Sequence, residues 1–441
     1  MKADADQRPR TIAGGLSRLL AIPLSIRLAA TLWVVLTVAV TVRVAVQRPD
    51  RASVVPIYLD AGERWRAGAS LYEHHPGLDV YRNPPGVAAG FAALTPLPPK
   101  VAAILWRLGC GAALLTGLVR FRRVVAPDLS ADRAAALYAL AAVLAVPAVN
   151  NGQVNILVAA GGLHGAAAVA RGRWWAAALW FAVGGWLKVY PLAVGMLAAV
   201  VAPRRLAPKL AAATVAGFLA PFVVQSPDYV WRQHREMIAA DTADDRTHAD
   251  PARVPRDWTI LSRTWAGVVV PATAAKGVSL VVAAGLAGFM AVTAGRRSLR
   301  DSAGVALALG SGWMTAFGPA TEGNTYSVLC GAAAWLAVVP DRPRWATWAA
   351  RVGCGLLVMS VARGMVPGVI PFELLGPQPA GALLLMLAAF AAAPQPVVSA
   401  AGQVIITGRV SQSARGSIGG GNDAARPVGA GGRDVSGAGG I

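Results

Sequence analysis

The sequence predicts an all-α, polytopic membrane protein, and three observations carry that reading. Of 441 residues, 55% are hydrophobic and 14% charged, against roughly 25% charged in an average soluble domain. Between residues 28 and 396, apolar runs able to cross a hydrocarbon core roughly 30 Å thick recur, each ended by Arg, Pro or a short polar cluster. The basic residues behind the net charge of +19 gather in short clusters between those runs. There they hold loops on the cytoplasmic side and meet anionic head groups. This distribution reads as topology and argues against a nucleic-acid partner, which would need a basic face or stripe.

Residues 1–27 form a basic amino-terminal segment with Lys2, Arg8, Arg10, Arg18 and Arg27, expected in the cytoplasm. The apolar stretch 28–46 follows without a small-residue cleavage site and reads as an uncleaved signal anchor. The chain then emerges into a long, acid-bearing external loop, 47–100. Spans at 101–118, 134–148 and 154–170 are separated by the basic loop 120–133 and the turn Asn150-Asn151-Gly152-Gln153.

The block 174–203 begins and ends on basic clusters, Arg171/Arg173 and Arg204/Arg205/Lys209, so a single crossing would strand one cluster outside. It reads as two short helices broken at Lys188-Val189-Tyr190-Pro191, because proline disfavours helix in the residue before it and lacks a backbone donor. Broken helices at membrane depth line cavities. A span at 209–225 leads to a second external loop, 226–265, with Asp228, Glu236, Asp241, Asp244, Asp245, Asp250 and Asp257.

Further spans at 272–294, 303–317, 326–339, 346–366 and 380–393 alternate with basic loops at 296–300 and 342–351. The sum is about twelve spanning or partly spanning helices in a domain covering 28–396, with both termini inside. Residues 397–441 are rich in Gly, Ser and Ala and too poor in large apolar groups to offset ordering entropy, so a disordered cytoplasmic tail is expected.

Cys110, Cys330 and Cys354 lie in apolar segments with no CxxC pair and read as packing residues. His164 also sits in a span. His74, His75, His234 and His248 lie in loops without a ligand cluster, and no metal is assigned. The fourteen tryptophans fall mostly near span ends, where an interfacial belt accounts for them.

Candidate chemistry concentrates in the first external loop. Helical spacing puts Ile57, Ala61 and Trp65 on one face of a short juxtamembrane helix ending near Gly68, with Asp60 close to that apolar face. A carboxylate at such a boundary is partly desolvated, which raises its pKa and suits it to accept a proton. The competing reading is an Asp60–Arg64 pair at i,i+4, worth about 0.2–0.5 kcal/mol. Downstream, Tyr81-Arg82-Asn83-Pro84-Pro85 forces an extended turn. The apolar stretch after it is too short to span with ease and reads as re-entrant.

Asp60 in its Tyr58-Leu59-Asp60 context with the turn Gly68 to Tyr72, the segment Tyr81 to Pro85, Asn151-Gly152-Gln153-Val154-Asn155 and Lys188-Val189-Tyr190-Pro191 occur in this order on one expected side. Together they resemble the polyprenol-phosphate-dependent mannosyltransferases of glycosyltransferase family 87, membrane enzymes of the GT-C type, over residues 28–390. The resemblance implies a GT-C helical bundle in the cell membrane. It implies inverting transfer of a hexosyl, by resemblance mannosyl, group from a polyprenyl-phosphate sugar donor to a glycan or glycolipid acceptor on the extracytoplasmic face, with no cofactor.

The position matching the family's general base is Asp60. Lys188, at the broken helix, is the first candidate for the donor phosphate, since a cation at membrane depth is costly; snorkelling to the head groups is its alternative. Arg82 and Arg263, beside expected membrane crossings, are weaker candidates. Tyr58, Tyr81, Asn83, Gln153, Asn155, Tyr190 and Glu322 are candidate substrate contacts, with helix capping open for Gln153 and Asn155 and expected for Asn151. The sequence departs from the family pattern at Asn83, where an aromatic is common, and over 317–326, where family members often have a different aromatic- or histidine-bearing sequence. A secondary transporter or flippase is the alternative class. The two long loops on one side, with an acid in the first, favour the transferase.

Overall fold

The computed structural model describes residues 23–47, 53–243, 256–318, 321–364 and 375–391, with Val397–Val398 and Val404–Ile405. The basic segment 1–22, Asp244, Asp245, His248, Asp250 and the rest of the tail lie outside the described residues. The chain is a helical membrane protein. Among the described residues its only strand pairing is the two-residue antiparallel contact of Val397–Val398 with Val404–Ile405.

A long helix α1, Leu24–Val46, opens the fold. The first expected external loop folds as α2, Val55–Ala67, and α3, Pro85–Ala92. Then follow α4, Pro99–Val124; α5, Ala131–Asn151; α6, Asn155–Ala170; α7, Trp174–Leu187; α8, Leu192–Val201; and α9, Pro203–Leu219. The short α10, Pro221–Val224, continues the span from α9, and the second loop contains α11, Pro227–Ala243, and α12, Trp258–Ala266. The bundle closes with α13, Ala272–Thr293; α14, Leu299–Ala316; α15, Cys330–Val338; α16, Arg344–Gly364; and α17, Pro377–Phe390.

Proline punctuates this order. It stands in the first turn of α2, α3, α4, α9, α10 and α17, where the amide it lacks would have had no intrahelical partner. The break expected at 188–191 is present. α7 ends at Leu187, Lys188 is extended at φ −152° and ψ 136°, and α8 resumes after Pro191.

The expected spans map onto twelve of these helices, and among the described residues six segments are long and apolar enough to cross a membrane by length and composition: Leu24–Val46, Pro99–Val124, Ala131–Asn151, Pro203–Val224, Ala272–Arg296 and Arg344–Arg363. Asn155–Ala170, Trp174–Leu187, Leu192–Val201 and Pro377–Phe390 are apolar but shorter. Boundaries differ from the sequence reading in three places. α4 runs on to Val124, placing Arg120, Arg122 and Arg123 on a helix, because Leu118 and Phe121 continue its buried face. α9 starts at Pro203, so Arg204, Arg205 and Lys209 are helical too. The span expected from 326 begins as a 3-10 helix, Gly323–Leu329, before α15.

The main core surrounds α6 and α14, which are buried along nearly their whole lengths. In lipid, helix association depends on close contact more than on apolarity. A Cβ added at Gly161 would sit 2.7 Å from the carbonyl oxygen of Trp180, so α6 and α7 meet backbone to backbone. Gly353 and Gly381 do the same for α16 and α17, with added Cβ atoms 2.7 and 2.8 Å from each other's carbonyl oxygens. A second, smaller core lies at the loop end of the bundle, under α2, and contains Tyr58, Trp65, Tyr72, Tyr81, Phe91 and Tyr229.

Candidate active site

The helix α2 is set on this second core by its own sequence. Val55, Tyr58, Leu59, Ala61, Gly62 and Trp65 form the buried stripe, and Gly68 ends the helix in the left-handed conformation at φ 67°. Gly62 admits α3 against it: an added Cβ would lie 2.8 Å from the backbone of Phe91 and Ala92. The exit from α2 is clamped by Gln225 and by the second loop that follows it. Gln225 donates to the carbonyl of Trp65 at 2.8 Å, Tyr229 to that of Ala69 at 2.8 Å, and Gln233 accepts the amide of Leu71 at 2.8 Å. Ser70 donates to Glu236 at 2.7 Å.

Asp60 flanks the buried stripe with its side chain 23% exposed. Arg64 Nε lies 2.9 Å from its Oδ2, and His75 Nδ1 lies 3.0 Å from its Oδ1. The i,i+4 pair weighed from the sequence is therefore formed, and a histidine from the following loop completes it. Each carboxylate oxygen retains a further lone pair for an incoming donor.

Tyr58, two residues earlier, points to the opposite side of the same turn. Its ring packs 4.8 Å from Phe91 and 6.5 Å from Tyr81, while Tyr81 lies 5.6 Å from Tyr72. Tyr72 donates to the carbonyl of Asn83 at 2.8 Å, and Tyr81 to that of Pro84 at 3.0 Å. Burial pushes the phenols of Tyr58, Tyr72 and Tyr81 well above the ordinary tyrosine range, with the Glu322 carboxylate and Tyr190 adding to the effect at Tyr58. Tyr229 is pushed up to about 12, again mainly by burial. These phenols stay protonated at neutral pH and serve as hydrogen-bond donors, not as bases.

The same end collects most of the other sequence candidates. Asn83 is buried and donates to the carbonyl of Leu187 at 3.0 Å, joining the first loop to the broken helix. Lys188 follows directly, half-buried, its Nζ 5.7 Å from the Tyr190 ring centre. Asn155 is fully buried and bonds Gln153 at 2.5 Å and the carbonyl of Asn324 at 3.5 Å, and its Oδ1 has no partner. Neither caps α6, whose cap residue is Val154; Asn151 instead ends α5, its carbonyl accepting from Val54 at 3.0 Å. Glu322 is exposed and caps the 3-10 helix Gly323–Leu329 in a capping box with Thr325.

Two candidates stand apart. Arg82 is exposed and 3.8 Å from Asp79. Arg263 lies on α12, which packs on α17, with its Nη1 buried and without a hydrogen-bond partner. His164 is a packing residue, stacked 4.2 Å from Trp180 and within 3.4 Å of Thr116 Oγ1.

The arrangement thus offers one held carboxylate, a wall of protonated phenols and amides, and a lysine at a helix break. Against known families, the model of glycosyltransferase family 87 matches residues 81–319, more than half of the chain. The chain belongs to glycosyltransferase family 87. It is therefore a membrane glycosyltransferase, and no curated protein matches it significantly. The family 87 match covers Tyr81, Asn83, Gln153, Asn155, Lys188 and Tyr190, and begins after Asp60.

Sequence reasoning set His75 aside, because its partner is remote in the chain and no spacing rule links them. It also passed over Arg107, a buried arginine in the middle of α4. The available signal was a single cation inside an apolar span.

Proposed function

We propose that this family 87 enzyme moves a hexosyl, specifically mannosyl, group from a polyprenyl-phosphate sugar to a glycan or glycolipid acceptor at the extracytoplasmic face of the cell membrane, with inversion and with Asp60 as general base. The observation that carries the reading is Asp60, a carboxylate three-quarters shielded and fixed through both oxygens by Arg64 and His75. Fixing the base in advance lowers the cost of orienting it during reaction.

In the proposed step a carboxylate oxygen takes the proton of the acceptor hydroxyl as that oxygen attacks the anomeric carbon. The bond from that carbon to the phosphate oxygen breaks on the opposite face, and phosphate leaves with the electron pair. Phosphate is a competent leaving group, so the protein's remaining task is to stabilise its charge, which an ammonium or guanidinium does well. Lys188 supplies such a cation beside the helix break. The buried phenols and the Gln153–Asn155 pair supply hydrogen-bonding groups of the kind a sugar requires.

The test supplies radiolabelled polyprenyl-phosphate-mannose and candidate acceptors to membranes carrying the parent chain or Asp60→Asn. Transfer by the parent and none by the variant at equal expression is expected. Equal transfer by both overturns the assignment of the base.

A further inference from the structure

Consecutive residues of the first loop, Gly68 to Leu71, are each held by one face of α11. Arg232 Nη2 donates to the carbonyl of Gly68 at 3.2 Å and the Tyr229 hydroxyl to that of Ala69 at 2.8 Å. The Ser70 hydroxyl donates to Glu236 Oε2 at 2.7 Å, and the Leu71 amide to Gln233 Oε1 at 2.8 Å. Positions 229, 232, 233 and 236 have the i, i+3, i+4, i+7 spacing of a single helical stripe. Gln233 is the innermost, fully buried, and the Leu71 it holds is 2% exposed.

The segment held in this way is tied in turn to Asp60. Arg64 reaches from α2 to the carbonyls of Ser70 and Glu73, its Nη1 donating at 3.1 and 3.3 Å, while Nε of the same guanidinium lies 2.9 Å from Asp60 Oδ2. A guanidinium is planar and rigid, so fixing Nη1 fixes the direction of Nε. The segment ends at His75, the other partner of the carboxylate.

Residues 68–75 are neither helix nor strand. Without a ladder of their own, their backbone groups depend on side chains from elsewhere. Gln233 meets that need at a cost, because its Nε2 is buried without a hydrogen-bond partner. An apolar residue at 233 would spare that cost but free the Leu71 amide, and with it the neighbouring carbonyl of Ser70 that holds Arg64.

We propose that Gln233, with Glu236 beside it, is a positioning residue for Asp60, acting from the second loop through the 68–75 segment and Arg64. This assignment rests on Asp60 as the general base. The carboxylate is then correctly aimed only while the two external loops stay docked. Misplacing a reacting group by about 1 Å costs up to about a hundredfold in rate.

The test compares the parent with Gln233→Met, Ser70→Ala, Arg64→Lys and the double variant Gln233→Met/Arg64→Lys. Membranes carrying each full chain receive radiolabelled polyprenyl-phosphate-mannose and an acceptor that the parent uses. Methionine matches glutamine in length but cannot accept the Leu71 amide. Lysine keeps a cation beside Asp60 but cannot bridge it to two carbonyls. Ser70→Ala removes the Glu236 anchor at a half-buried position and leaves α11 untouched, so the route stays testable even where α11 does not tolerate methionine.

Gln233→Met and Arg64→Lys are each expected to lower kcat per folded enzyme by about ten- to a hundredfold, with donor KM within about twofold of the parent. Ser70→Ala is expected to shift kcat in the same direction by a smaller factor. The double variant is expected to be no slower than Arg64→Lys, since both changes break one chain of contacts. In the purified full chain in detergent, hydrogen exchange of the 68–75 amides is expected to be at least about tenfold faster in Gln233→Met.

Parental kcat in Gln233→Met and Ser70→Ala, while Asp60→Asn is inactive, overturns the positioning and leaves the base. Losses that multiply in the double variant overturn the route through Arg64, and a change confined to KM overturns positioning in favour of substrate contact. Unchanged exchange at 68–75 overturns the proposal whatever the donor. Transfer by Asp60→Asn at the parental rate overturns the base and the positioning together.

Discussion

The side-chain amide of Asn83 donates to the carbonyl of Leu187, 104 residues further along the chain, at 3.0 Å. That carbonyl sits where the break at Lys188 interrupts helical hydrogen bonding, and Asn83 satisfies it inside the protein. The contact fixes the first loop against the broken helix and thereby sets Lys188 relative to Tyr81 and Tyr72.

Asn83→Ala is expected to destabilise the protein by about 1–3 kcal/mol, the cost of a buried carbonyl left without its donor. Thermal unfolding in detergent measures it. A change under about 0.5 kcal/mol would mean that water or a neighbour replaces the amide without loss.

His75 and Asp60 allow the base to be identified. His75 is 51% exposed and belongs to a loop, so its removal should change stability by no more than about 1 kcal/mol. If the carboxylate is the base, His75→Ala retains transfer and Asp60→Asn does not. Initial rates in membranes decide the matter: a His75→Ala variant as inactive as Asp60→Asn would make the imidazole the proton acceptor and Asp60 its orienting partner.

Gly62 tests whether the placement of α2 is rigid. An added Cβ meets backbone atoms of Phe91 and Ala92 at 2.8 Å and cannot be relieved by a rotamer change. Gly62→Ala should cost about 1–3 kcal/mol by overpacking and lower transfer, because Asp60 rides on the displaced helix. Gly90→Ala, where the added atom meets nothing within 4 Å, is the control and should be nearly neutral in both assays. Equal melting temperatures for the two variants would show that α2 and α3 separate freely.

The helices were legible because apolar runs, prolines and basic clusters act locally, and residues such as Pro191 and Gly68 mark boundaries by their own backbone preferences. The ends of α4 and α9 were not. There Leu118, Phe121 and Leu206 continue a buried face through a stretch of arginines, and only the three-dimensional neighbour reveals that. The site was legible as a set of residue types and hidden as a set of partners. Nothing local links Asp60 to His75 across a turn, Asn83 to Leu187 across five helices, or Arg43 to Arg107 through Asn150.

Asp257 gives the protein a pH dependence at the second loop. Its Oδ1 caps α12, accepting from the amide of Thr259 at 2.9 Å and its hydroxyl at 2.6 Å. Burial raises its pKa above the ordinary 3.8, and the Thr259 bonds oppose this with less weight. The native state therefore binds this proton more tightly than the unfolded one. Below pH 3.8 both states are protonated and the contribution is fully present. As pH rises past that value the unfolded acid ionises first and stability falls, levelling once the native acid has ionised at its raised pKa. Asp257→Asn keeps a good capping group and removes the charge. It should abolish this decline and leave α12 at least as stable at neutral pH. The effect reaches the candidate site, because Tyr326 donates to the carbonyl of Arg256, whose amide bonds Thr321 at 2.6 Å beside the helix capped by Glu322. Hydrogen exchange of the 258–266 amides, corrected for intrinsic rates, reads the local stability. The same decline in the asparagine variant as in the parent would show that Asp257 is not its source.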